Sequence, residues 1–94
     1  MQKIISGLEE IARTVKTGAD ASKTAPLVSA ARSSVAEFKK TASEEARPVM
    51  DRLDVELSAW QMKLEVILNE PVGRQGMAKH AHYWVEELKK FKVS

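Results

Sequence analysis

The chain has 94 residues, fifteen basic and thirteen acidic side chains for a net charge of +2, and no cysteine. That length suits one small domain. The lack of cysteine excludes a disulfide framework and thiol chemistry, and the near-neutral charge is no nucleic-acid footprint. No apolar run approaches the roughly 20 residues that cross a bilayer, and the N-terminus lacks the order of a secretory signal, so a cytoplasmic protein is expected.

Residues 2–17 read as a first amphipathic helix. Ile4, Leu8, Ile11 and Val15 lie on one stripe with Ile5 and Ala12 at its edge, while Lys3, Glu9, Glu10, Arg13 and Lys16 face away. Gly18 suits the left-handed residue that follows a helix end. The small, polar stretch 18–25 reads as a connector. Pro26 then fits the first turn of a second helix, with Thr24 the better cap.

From residue 26 to 69 small and apolar residues climb in steps of three, four and four: Leu27, Ala31, Val35, Phe38, Ala42, Ala46, Val49, Leu53, Leu57, Trp60, Leu64 and Leu68. Each rung recurs eleven residues on, a period of about 3.67 that keeps the stripe on one side of a nearly straight helix roughly 60 Å long. Pro48 is the conflict, because an interior proline costs ~3 kcal/mol. The helix is therefore kinked or broken there. The unbroken phase across Ala42, Ala46, Val49 and Leu53 favours a kinked, continuous helix.

Residues 69–76, with Pro71, Gly73 and Gly76, read as a turn. A last helix covers about 77–92, striped by Met77, Ala81, Trp84, Leu88 and Phe91 with Val85 alongside. Lys89, Lys90 and Lys92 occupy its final turn, where cations favour the dipole.

The expected fold is all-α. It is a single domain of helices at about 2–17, 26–69 and 77–92, the outer two folded back antiparallel on a long central one in a coiled-coil or helical-bundle arrangement. Turn lengths would set Trp60 against Trp84 and Leu8 against Val35. Charge supports the second fold-back: residues 49–70 carry two basic and five acidic groups, and residues 71–94 carry five and two. Such a hairpin is only two helices thick, so each stripe would leave a wet face that a second copy could cover.

His80 and His82 are two apart on a helix, about 200° round, and cannot share a metal. His82 stands four before Glu86, an ordinary surface pair. The serines lie far in sequence from both histidines. Asp51 and Asp54, beside Arg52 and Glu56, read as a solvated acidic face. No catalytic, cofactor or metal site is expected, and the chain reads as a non-enzyme. Tyr83 and Glu87 form a Tyr-x-x-x-Glu spacing that resembles the export signal of small secreted helical-hairpin proteins with Trp-x-Gly in their central turn. The turn here, Pro71, Val72 and Gly73, has no Trp, so the chain is not placed in that family.

What remains is an interaction or assembly module that associates with itself, as a dimer or higher oligomer, or with another helical protein. Leu53, Leu57, Trp60, Leu64, Trp84, Leu88 and Phe91 are the expected anchors. The alternative is an amphipathic-helix protein that binds lipid or membrane surfaces reversibly, since an Ala- and Ser-rich eleven-residue period also lies well in an interface. The basic Arg74, Lys79, Lys89, Lys90 and Lys92 offset the acidic 49–70 segment; a nucleic-acid partner is not expected.

Overall fold

The computed structural model describes residues 1–93 and is all-helical there, with no strand. Four helices form it: α1 (Gln2–Lys16), α2 (Ala21–Lys39), α3 (Ala46–Asn69) and α4 (Pro71–Val93). The Lys92 side chain lies outside the described residues.

The 60 Å rod is absent: the molecule measures 37 × 21 × 17 Å. The stretch read as one helix over 26–69 ends at Lys39 and restarts at Ala46. Pro48 sits third in α3, where its missing N–H is one of the donors that has no intrahelical partner anyway, so it opens a helix instead of kinking one. Within the connector, Ser43 supports the new helix, its hydroxyl and carbonyl oxygens both accepting from the Ala46 N–H at 3.2 Å. The phase survives the break because Val35 and Ala46, eleven residues apart, are each buried on their own helix.

Helix starts also differ from expectation. α2 begins at Ala21, five residues before Pro26, because Asp20 is its cap: Oδ1 accepts from the Lys23 N–H at 3.2 Å and from the Ser22 hydroxyl at 2.7 Å. Thr24 is not the cap. Its fully buried hydroxyl donates back to the Asp20 carbonyl at 2.9 Å, which satisfies it. α4 begins at Pro71, so the expected 69–76 turn is helical but for Glu70. Proline forces the preceding residue out of the helical region, and Glu70 is extended at φ −117°, ψ 135°.

The end of α1 matches its reading. Gly18 has φ 86°; its N–H donates to the Val15 carbonyl at 3.2 Å, and the Ala19 N–H reaches the Thr14 carbonyl at 3.4 Å. This paired closure needs a left-handed residue, which glycine supplies without strain.

The helices form a ring: α1 packs on α2 and α4, and α3 on the same two. Chain direction alternates round it. Lys39 pairs with Asp51 while Arg32 reaches Gln61, so α2 and α3 run oppositely. The start of α1 lies beside the end of α2 (Met1 and Ile4 with Ser34 and Phe38), and its end lies beside the start of α4. A Cβ placed on Gly7 would lie 3.9 Å from the Ala31 Cβ as α1 crosses α2, and Glu56 rather than Trp60 meets Trp84. Both registers differ by about a turn from those expected, because α2 and α4 start earlier in the chain.

All six apolar residues read on the α1 stripe are buried, as are Leu53, Leu57, Trp60, Leu64 and Leu68 of α3 and Met77, Ala81, Trp84, Val85 and Leu88 of α4. They share one core with Val28 and Met50, two fully buried residues that the repeat had left off the stripe. Folding at 40–45 thus covers every stripe within one chain. Among the described residues, no helix is long and apolar enough to cross a membrane.

Candidate functional site

The expected anchors face inward. Leu53, Leu57 and Leu88 are fully buried, Trp60, Leu64 and Trp84 nearly so, and Phe91 is half-buried. They hold the bundle together, and the surface it presents is made by other residues.

The opposite side of α3 carries a second apolar row that the sequence reading passed over. Val55 is 70% exposed, Met62 82% and Val66 69%, with Ala59 exposed between them. Positions 55, 59, 62 and 66 are spaced by four, three and four, one helical face, and lie about 200° round from Leu53, Leu57 and Leu64. The spacing was legible in the sequence. The stronger leucine and tryptophan stripe on the same helix masked it. Lys63, at φ −116° and ψ 19°, bends α3 between Met62 and Val66.

Charge is graded along this row. At its start Asp51 is engaged by Lys39, which leaves Arg52 to set the local charge. At its end stand Glu65 and Glu70 with Lys63, all three exposed, for a net −1.

The flanks of α3 are fixed by polar contacts. Arg32 of α2 donates from Nε to Asp54 Oδ1 at 3.2 Å and from Nη1 to Gln61 Oε1 at 2.8 Å. On the α4 side Glu56 Oε1 accepts from Trp84 Nε1 at 3.0 Å and stands 2.9 Å from His80 Nδ1. Asp54 and Glu56, read as a solvated face, are thus partly covered cross-links between helices. Asp51 and Asp54 are each tied to a different cation of α2, not to each other.

Arg74 has a role no spacing announced. Its Nε donates to the Leu68 carbonyl at 2.7 Å and its Nη1 to the Val15 carbonyl at 3.2 Å. One guanidinium thereby caps the closing turns of both α1 and α3 from α4.

His80 and His82 part company. His80 faces α3, whereas His82 Nε2 lies 3.5 Å from Lys16 Nζ on α1, so the expected His82–Glu86 pair is not the contact His82 makes. Among the described residues no three His, Asp or Glu side chains gather as a metal would need, and every buried side-chain polar atom has a hydrogen-bond partner.

Compared with family models, curated proteins and solved structures, the chain matches none.

Proposed function

We propose that this chain is a non-enzymatic helical interaction module that self-associates through the outer face of α3. The observation that carries the reading is the row Val55, Ala59, Met62 and Val66, in which three large apolar side chains are each more than two-thirds exposed. Single exposed apolar residues are ordinary on a protein surface; a row of them on one helix face is the pattern of an interface.

The end charges favour two copies laid antiparallel. Arg52 of one copy then meets Glu65 and Glu70 of the other, twice over by symmetry, and the helix dipoles oppose. Complete burial of six such side chains would contribute at most about 9–18 kcal/mol gross. Association itself costs an estimated 4–15 kcal/mol, so a weak, concentration-dependent dimer follows. The core anchors contribute indirectly, by holding α3 rigid beneath the row.

Solution mass measured across a concentration series tests this. The wild type should move from monomer towards dimer, and Met62→Glu should remain monomeric with unchanged helicity. Arg52→Glu should weaken the dimer, and adding Glu70→Arg should restore it. A wild-type chain that stays monomeric at every concentration would end the reading. The lipid-surface alternative requires the buried stripes to be released, so it demands a change in helical packing on vesicle addition that self-association does not.

A further inference from the structure

A second face of the bundle, away from the α3 row, carries a groove of about 560 Å³ between the end of α1 and the first turns of α4. Its volume falls within the range of small-ligand clefts. Val15, Pro71 and Ala78 give it an apolar floor. Lys16, Lys79 and His82 line it together with Arg74, whose guanidinium already caps two helix ends, and no acidic side chain lines it.

The contact between Lys16 Nζ and His82 Nε2, at 3.5 Å, deepens this asymmetry. A lysine ammonium has donors only, and this contact sets it beside the imidazole on the groove's wall. An anion between them would accept from the ammonium and from an imidazole N–H. Lys16 is the charged group of α1 that His82 meets; Lys79 and Glu86 stand one turn to either side of it on α4.

We infer that this groove binds a small amphipathic carboxylate, with its hydrocarbon over Val15, Pro71 and Ala78 and its head between Lys16, Lys79 and His82. The apolar floor calls for a tail, and the uniformly basic surround calls for a single negative head. No covalent step is involved.

Calorimetric titration of the whole chain with decanoate tests the inference, with decanol supplying the tail alone and acetate the head alone. Decanoate should bind at least about tenfold more tightly than either control, and its affinity should fall as salt is raised. Lys16→Glu with Lys79→Glu should lower affinity by about tenfold or more. Circular dichroism would confirm that this variant is folded, and Lys16→Gln with Lys79→Gln serves if it is not. Equal binding of decanol and decanoate, affinity indifferent to salt, or a folded double variant that binds normally would each overturn the assignment. Tighter binding of an acidic, leucine-rich peptide than of decanoate would also overturn it, giving the groove to a protein partner.

Discussion

Gly73 and Gly76 lie three residues apart in α4, and adding a methyl group to each has opposite consequences. A Cβ on Gly73 would come to 2.3 Å of the Ile67 carbonyl oxygen, a backbone atom, whereas one on Gly76 would meet nothing within 4 Å. Gly73→Ala should therefore destabilise by about 1–3 kcal/mol or more as α3 and α4 are pushed apart. Gly76→Ala should stabilise by about 0.5–1 kcal/mol through helix propensity. Urea midpoints of the two variants check both signs. In the sequence both residues looked like turn formers; Gly73 instead permits a close approach within a helix, a need composition does not reveal. Arg74 was equally hidden, since a side chain that caps two distant carbonyls leaves no local pattern. Arg74→Lys, whose single ammonium does not reproduce the fork, should cost about 1–3 kcal/mol in the same assay. Asp20 adds a pH signature. The Ser22 hydroxyl and then the Lys23 N–H hold its carboxyl below the ordinary 3.8. Because the folded value is the lower one, the cap contributes fully above the ordinary value, and its contribution is lost as pH falls through the lowered value. Asp20→Asn, which keeps an acceptor oxygen but does not titrate, should differ from wild type above about pH 4 and converge with it in stronger acid. Acid-dependent urea midpoints measure this.

At the level of the helices, prolines explain most of what the sequence made legible and most of what it concealed. The α1 stripe and the Gly18 stop follow directly from local rules, and the structure reproduces them. Pro48 and Pro71 both stand at helix starts, but residues 40–45 contain no glycine or proline to announce the break that precedes Pro48. Only the gain from wrapping four helices round one core selects it, and that gain is not written in any local window. Pro26 is the reverse case, since Asp20 starts α2 early and leaves this proline inside the helix, opposite the Ser22 carbonyl. Pro26→Ala should restore a hydrogen bond and stabilise by on the order of 1–2 kcal/mol, allowing for the greater entropy of the unfolded chain. Pro48→Ala should change stability by well under about 1 kcal/mol. Thermal melts of the two variants separate an interior proline from an opening one.

For the whole molecule, most of the inward face was readable, Val28 and Met50 apart, while its partner was not. An eleven-residue repeat specifies which side of α2 and α3 is apolar, but whether that side meets a second chain or the rest of its own depends on where the chain bends. The bend makes the bundle self-contained, so core and association should separate experimentally. Leu57→Ala, at a fully buried position, should cost about 2–5 kcal/mol in urea unfolding. Met62→Glu should leave that midpoint nearly unchanged and alter only the measured mass. The outer α3 row was present as a spacing in the sequence, hidden behind the stronger stripe, whereas the α1–α4 groove had no local pattern to announce it. The groove in particular joins Lys16 to His82 across most of the chain.

The joint between α3 and α4 is a single non-helical residue, Glu70, whereas six residues separate α2 from α3. Closing so short a link forfeits very little chain freedom. The last two helices should accordingly zip first during refolding, with α1 and α2 docking afterwards. Pulse-labelled amide exchange would register this as early protection on either side of Glu70 and late protection around Ile4 to Val15.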